Sequence, residues 1–217
     1  PSFLKAAGKN PENMSVQSLW AFMDGEKQDR DQVFLERERH ANVKKRNLSY
    51  PMRAIRTHHY LYIWNPLQER NPSGDPTVHQ SVGQYGDVDH SISKFLIKAL
   101  EGKAQAGQPD HFHLAFGSRP GEELYDVEKD PYQLNNLARN PSFASVKEEM
   151  RKELLAWMKR TGDPRFENPK STYWDELRFT PDYQMKDIDW QKQIEKYRIR
   201  PPFGSVIEIP CLPSSKQ

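Results

Sequence analysis

The sequence predicts an α+β fold, in which a small antiparallel sheet of about four short strands is covered on one face by one long helix. Two short segments, 52–57 and 60–64, are rich in strand-forming residues and are separated only by His58 and His59, as in a hairpin. One long amphipathic segment follows Asn140 and is bounded by helix start and stop signals. These patterns favour one sheet layer packed against one helix layer.

The strands are short, and the first is predicted at residues 32–36. In 60–64, aromatic residues alternate with Leu61 and Ile63, which is the period of a strand that packs on both faces. Residues 123–126 are predicted as a further short strand at the edge of the sheet. Residues 37–47 carry too many charges for a core element and are therefore predicted as a surface loop.

The long helix is predicted to begin with Asn140 as its N-cap and Pro141 at its first helical position. It is predicted to end at Gly162, which is followed by Pro164. Its apolar residues recur at helical spacing and are expected to cover the sheet, with Trp157 as the largest anchor. The members of this stripe are Val146, Met150, Leu154, Trp157 and Met158.

A shorter helix is predicted after the loop 65–87, which is rich in proline, glycine and serine. Ser91 or Asp89 can cap this helix, and Gly102 can end it. A polar linker over 103–110 then leads to the edge strand. The apolar stripe of the shorter helix consists of Ile92, Phe95, Leu96, Ala99 and Leu100.

The character of the chain changes after residue 162, so the sequence predicts one subdomain at 1–162 and an extension at 163–217. Seven of the 17 prolines lie in the extension, together with eight aromatic residues. So many large apolar side chains do not suit a free tail, and we expect the extension to wrap over the subdomain. Residues 188–197 are predicted as a helix within it.

The composition excludes several classes of protein. The 217 residues carry a net charge of only +2, which argues against a general nucleic-acid-binding surface. No apolar run is long enough to predict a membrane span. The single cysteine, Cys211, rules out an intrachain disulfide, although a secreted location stays open. Residues 1–8 look like the last turns of a helix stopped by Gly8, which leads us to expect a fragment of a longer protein.

The segments 1–8, 49–57 and 122–138 resemble sulfatases of the heparan N-sulfatase (N-sulfoglucosamine sulfohydrolase, sulfamidase) type and their bacterial relatives. The most specific is EELYDVEKDP at 122–131, which continues to NNLA at 135–138 and is similar to a stretch near the C-terminus of many sulfatases. SYPMRAIRT at 49–57 resembles a second stretch, and PSFLKAAG at 1–8 resembles the helix that follows the catalytic half. The resemblance covers roughly the first three quarters of the chain.

The resemblance implies an alkaline-phosphatase-like enzyme whose smaller C-terminal subdomain is present here. It implies hydrolysis of sulfate esters or N-sulfate groups on a sulfated carbohydrate, in a periplasmic or secreted protein. The implied formylglycine and calcium belong to an N-terminal catalytic half outside this chain, so we expect no cofactor within it. Whether the protein forms a homodimer stays open, and a free-standing, non-catalytic binding module derived from a sulfatase is the alternative.

The candidate substrate-binding residues are Glu36, Arg37, Arg39 and His40. Binding residues concentrate in loops after strands, and guanidinium groups match the oxygens of sulfate with paired hydrogen bonds. The same loop could instead be a solvated charged surface. Glu36 and Glu38 could bind sugar hydroxyls or could simply pair with the arginines.

Other residues have simpler interpretations. CLPSS at 211–215 matches four positions of the formylglycine motif Cys/Ser-x-Pro-Ser-Arg but has Ser215 in place of the arginine, so we interpret it as chance. Arg53 is expected to form structural salt bridges. Asp75, Asp87 and Asp89 lack the spacing of a calcium-binding loop.

Overall fold

The structure is a computed structural model that describes residues 2–10, 19–25, 31–40, 43–44, 48–77, 83–104 and 106–177. The expected helix at 188–197 and Cys211 lie outside these residues. The boundary between the subdomain and its extension stays a prediction, and the described part of the extension ends at Leu177.

The sheet has four antiparallel strands in the order β1-β2-β3-β4. They span Gln32–Arg37, Met52–Thr57, Tyr60–Trp64 and Glu122–Asp126. The hairpin between β2 and β3 turns at His58 and His59, and the Thr57 hydroxyl closes it by accepting a hydrogen bond from the Tyr60 backbone at 3.0 Å. The predicted fold class, the hairpin and the edge position of β4 are confirmed.

One face of the sheet packs on the long helix α5, Ala144–Thr161. Ile55 lies opposite Tyr62 in the β2–β3 register, and Tyr62 lies opposite Leu124 in the β3–β4 register. Paired residues share a face of a sheet, so these three side chains form one row. The row packs against the buried residues of α5, which are Met150, Leu154 and Met158.

The ends of α5 follow from local chemistry. The Asn140 side chain accepts a hydrogen bond from the Ser142 backbone at 3.0 Å and caps a short 3₁₀ turn, Pro141–Phe143, that leads into the helix. Gly162 ends the helix with a φ of 71°, a left-handed conformation that glycine adopts without strain. Trp157 is only partly buried, and its ring stacks on Phe34 at 5.1 Å. It therefore lies at the margin of the core instead of being its largest anchor.

The structural role of the segment EELYD…NNLA follows from the contacts of one asparagine, Asn136. The Asn136 side-chain oxygen accepts hydrogen bonds from the backbones of Leu124 and Ala138, both at 2.9 Å, and its amide donates to the Glu122 carbonyl at 3.1 Å. Asn136 thus replaces the missing neighbour strand along the outer edge of β4. Asp130 accepts a hydrogen bond from the Asn135 backbone at 2.7 Å within the turn that follows β4.

The shorter helix α3 spans Ile92–Lys98, and Ser91 caps it as predicted. Its predicted apolar stripe is exposed. The residue that α3 buries is Lys94, whose ammonium group donates to the carbonyls of Tyr85 at 3.1 Å and Val88 at 2.6 Å. Hydrogen bonds to the preceding loop, and not apolar burial, therefore fix this helix.

The helix α4, His111–Phe116, was missed because residues 103–110 were interpreted as a linker leading directly to a strand. Asp110 caps it by accepting a hydrogen bond from the His113 backbone at 2.9 Å. Phe116 is buried and stacks on Tyr85 at 4.6 Å. The contact between two aromatic rings 31 positions apart along the chain could not be inferred from local periodicity.

Four further short helices complete the described elements: α1 at Ser2–Ala6, α2 at Trp20–Met23, α6 at Pro164–Glu167 and α7 at Tyr173–Glu176. The first lies in the segment predicted as the end of a helix, and Gly8 follows it with a φ of 69°. None of the helices in the described ranges has the length and apolar character needed to cross a membrane.

Replacing Leu154 with alanine is expected to lower the free energy of unfolding by about 2–5 kcal/mol, because it opens a cavity between α5 and the sheet. Glu153→Ala, at an exposed neighbouring position of the same helix, is the matched control and should change stability little. Urea denaturation of both variants measures the difference. Equal stability of the two variants would contradict the packing of α5 on the sheet.

Candidate functional site

The face of the sheet opposite α5 forms one wall of a cavity of about 490 Å³. Arg37, Met52, Ile63 and Tyr125 line it from the strands, since each lies one position from a residue that faces α5. The other walls come from the loop before β2, the loop 65–91 and α4. The long loop predicted at 65–87 therefore builds a cavity and does not merely connect two elements.

Backbone contacts fix Asp87 at the rim of this cavity. The Asp87 backbone donates to the Ser73 carbonyl at 3.0 Å, and the Tyr85 backbone donates to the Asp75 carbonyl at 3.2 Å. Gly74 has a φ of 106°, and a Cβ atom there would lie 2.5 Å from the nitrogen of Gly86. The close approach of the two loop segments thus requires glycine at 74.

Three basic side chains surround the Asp87 carboxylate, whose side chain is only 3% exposed. Arg37 Nη2 lies 3.1 Å and Lys44 Nζ lies 3.3 Å from Asp87 Oδ2. His40 Nδ1 lies 3.7 Å from Asp87 Oδ1. Burial lowers the pKa of Lys44, and the nearby Asp87 carboxylate only partly opposes that shift. Lys44 is buried, although it lies in the segment 37–47, which was predicted as a surface loop because of its charge.

The four candidate substrate-binding residues do not all meet at one point. Arg37 and His40 come together at Asp87, and the His40 side chain is 63% exposed. Arg39 donates a hydrogen bond to the Trp174 carbonyl, and burial lowers its pKa against the opposing charges of Asp175 and Glu38. Glu36 lies on the α5 face of β1, where its carboxylate is 3.9 Å from Arg53 Nε.

A buried ionic network centred on Arg53 lies at the same end of the sheet. Arg53 is 1% exposed and donates to Asp163 Oδ1 at 3.1 Å and to Glu38 Oε1 at 2.7 Å. Arg165 binds both oxygens of Glu38, at 2.7 and 2.8 Å. The expectation of structural salt bridges at Arg53 is met, and Glu38 pairs with two arginines.

A second group of contacts joins the extension to the start of β2. Arg70 donates to both oxygens of Asp175, at 3.0 and 2.8 Å. The backbone and the hydroxyl of Ser49 each donate to Asp175 Oδ1 at 2.7 Å. Burial disfavours the charge of Asp175, but these hydrogen bonds and Arg70 outweigh it and lower its pKa.

Tyr50 and Asn65 are cavity residues that the sequence did not identify as functional. Asn65 donates to the Pro120 carbonyl and to Glu123 Oε1, both at 2.8 Å, and its own Oδ1 has no hydrogen-bond partner among the described residues. The Tyr50 hydroxyl is likewise unpaired there. Burial, and then the charge of Glu123, raises the pKa of Tyr50, so its hydroxyl stays protonated. Tyr50 lies in the recognised segment 49–57, which was the one signal that pointed to it.

Among the described residues, no group of three or more His, Cys, Asp or Glu side chains could hold a metal ion.

The comparisons with known proteins agree with the recognised segments. The chain is 30% identical over 173 residues to an ulvan-active sulfatase of Formosa agariphila, a match that covers 77% of this chain and 29% of that protein. It is 30% identical over 117 residues to the human N-sulphoglucosamine sulphohydrolase, covering 54% of this chain and 21% of that enzyme. The chain is homologous to sulfatases.

The chain spans less than a third of the length of either sulfatase relative. A 2-O GAG sulfatase of known structure superposes with a TM-score of 0.46 at 20% identity, over 82% of this chain and 28% of that one. No family model matches the chain.

Asp163→Ala is expected to lower the free energy of unfolding by about 3–5 kcal/mol, because it leaves the buried Arg53 guanidinium short of one counter-charge. Lys129→Ala is the control, since Lys129 forms an ion pair with Asp126 but its side chain is exposed. This change should have little effect on the free energy of unfolding. Thermal and urea unfolding of the two variants measure the contrast. Similar small losses in both would contradict a structural role for the network.

The network also predicts how stability depends on acid. Burial disfavours the charge of Asp163, but Arg53 and Arg165 outweigh it and lower its pKa below the ordinary 3.8. A carboxylate whose pKa is lower in the folded than in the unfolded protein stabilises the fold fully when the pH lies above its unfolded pKa. That contribution is lost as the pH falls through its folded pKa. Unfolding free energies measured from pH 5 down to pH 2 should therefore decline more steeply in the unmodified chain than in Asp163→Asn.

Proposed function

We propose that this chain is the C-terminal part of a sulfatase that hydrolyses sulfate esters or N-sulfate groups on a sulfated sugar. The observation that carries the proposal is the 30% identity to an ulvan-active sulfatase over 173 residues. The 29% share of that relative's length fits a portion of a longer enzyme. The formylglycine nucleophile and the calcium ion would then be supplied by the remainder of that enzyme.

Within this proposal, the role of the chain is to bind the anionic substrate at the rim of the cavity. Arg37 and His40 present N–H donors there, and both are at least partly open to solvent. A sulfate group accepts hydrogen bonds and carries negative charge, so it would match these donors. Asp87 would hold the two side chains in position by pairing with both.

Arg39 would contribute less directly. Its guanidinium contacts the Trp174 carbonyl, so one of its donors is already used by the extension. Glu36, on the opposite face of β1 from Arg37, would bind only a part of the substrate that reaches around the strand. We therefore propose Arg37 and His40 as the principal substrate contacts among the four candidates.

The isolated chain is expected to show no turnover of an aryl sulfate or of an N-sulfated glucosamine, because it contains no complete formylglycine motif. A longer protein that contains this chain together with such a motif should be active on one of them. Turnover by the chain alone that disappears in Cys211→Ser would contradict both the assignment of the catalytic residues elsewhere and the interpretation of 211–215 as chance.

In that longer protein, His40→Ala is expected to raise KM for a sulfated disaccharide about tenfold with little change in kcat. The reason is that one hydrogen bond to a charged group, worth about 1.5–3 kcal/mol, is lost from substrate and transition state alike. The low end applies because His40 is exposed. Steady-state kinetics are the measurement, and His58→Ala, an exposed histidine in the β2–β3 turn, is the matched control. An unchanged kcat/KM in His40→Ala would show that the rim of the cavity does not bind the substrate.

A further inference from the structure

Three buried polar atoms in the wall of the cavity have no hydrogen-bond partner in the described part of the chain. They are the Tyr50 hydroxyl, Asn65 Oδ1 and Asp87 Oδ1. Tyr50 and Asn65 are 2% and 1% exposed, and the Asp87 side chain is 3% exposed. Buried polar groups are almost always paired in folded proteins, so three in one cavity require an explanation.

Three other polar side chains of the cavity have partners within the chain. Glu123 accepts from the Asn65 amide at 2.8 Å and from the Tyr125 hydroxyl at 2.6 Å. Arg37 donates to Asp87, and Arg119 donates to the Leu114 carbonyl. Among the buried side-chain atoms of the cavity, those without a hydrogen-bond partner are therefore two acceptors, on Asn65 and Asp87, and one hydroxyl that both donates and accepts.

This set of atoms selects against a sulfate group in the interior. Sulfate oxygens only accept hydrogen bonds, and two acceptors in the wall would face them without any intervening proton. A sugar ring, in contrast, carries several O–H groups that can donate to Asn65 Oδ1 and Asp87 Oδ1, and it has oxygens that can accept from Tyr50. The volume of about 490 Å³ lies within the ordinary range of small-molecule sites.

We infer that the interior of this cavity is a subsite for an uncharged, hydroxylated sugar unit, which adjoins the sulfated unit bound by Arg37 and His40 at the rim. The assignment of the rim rests on the proposed function, whereas the assignment of the interior rests on the three unpaired atoms. The two subsites share Asp87, whose Oδ2 pairs with Arg37 and Lys44 and whose Oδ1 lies 3.7 Å from His40 Nδ1 and accepts no hydrogen bond in the described part of the chain.

The test uses Tyr50→Phe in the full chain, because this change removes an unpaired hydroxyl and leaves the ring in place. The probes are N,N′-diacetylchitobiose and its 6-O-sulfated form, and their dissociation constants are measured by NMR titration of the ¹⁵N-labelled chain. Tyr50→Phe is expected to weaken binding of both sugars about three- to tenfold, the effect of one lost hydrogen bond. Its melting temperature should stay the same or rise, since a costly unpaired group has been removed.

Tyr62→Phe is the matched control, because its hydroxyl donates to Glu122 at 2.7 Å on the opposite face of the sheet. It should lower the melting temperature and leave both dissociation constants unchanged. His40→Ala is the third variant and should weaken the binding of the sulfated sugar only.

The outcomes separate the two proposals. In one outcome, Tyr50→Phe binds both sugars like the unmodified chain, while His40→Ala weakens binding of the sulfated sugar. The interior then holds water only, so the inferred subsite is wrong although the rim assignment stands. If Tyr50→Phe loses stability as Tyr62→Phe does, its hydroxyl serves the fold, and the subsite is again wrong. If neither sugar binds the unmodified chain, both the subsite and the binding role proposed for the rim are overturned.

Discussion

The structure depends on the burial of one guanidinium group. Arg53 lies in the second strand with 1% of its surface exposed, and a charge so buried is tolerated only where opposite charges and hydrogen bonds surround it. Glu38 and Asp163 supply them from segments 15 and 110 positions away. Arg53 thereby joins the end of β1 to the residue that follows the long helix, and the same Glu38 holds Arg165. Three distant parts of the chain converge because one charge must be compensated.

The position of the candidate site follows from this anchor. Glu38 is fixed by the two arginines, so the chain directly before and after it cannot move freely. Successive residues of a strand point to opposite faces, which places Arg37 on the face away from α5 and directs it to Asp87. His40, two residues beyond Glu38, reaches the other oxygen of the same carboxylate. The ionic network on one face and the cation cluster on the other are therefore two consequences of one strand end.

Local signals were sufficient to predict the hairpin and the long helix from the sequence. Asn140, Gly162 and the turn between β2 and β3 act through neighbours that lie within a few residues. The partners of Arg53 and the contact between Tyr85 and Phe116 involve long separations, for which a single sequence carries no local pattern. The apolar stripe of α3 has helical spacing but is exposed, and only the contacts of Lys94 show which side of the helix is buried. For the candidate site, charge composition predicted Arg37 and His40, whose binding role stays a prediction, whereas Asp87 was considered only as a metal ligand.

Asp87 also explains how a cationic rim and a neutral interior can lie side by side. A lone buried carboxylate would draw a cation into the cavity, but Arg37 and Lys44 already neutralise Asp87 through Oδ2. Its Oδ1 is then left as a hydrogen-bond acceptor with little net charge to balance, which suits a hydroxyl better than an ammonium group. The same neutralisation uses one donor of Arg37, and the others stay available towards the rim. One carboxylate thus divides the region into a part that favours anions and a part that favours hydroxyl groups, and this division is the physical basis of the two subsites that we propose.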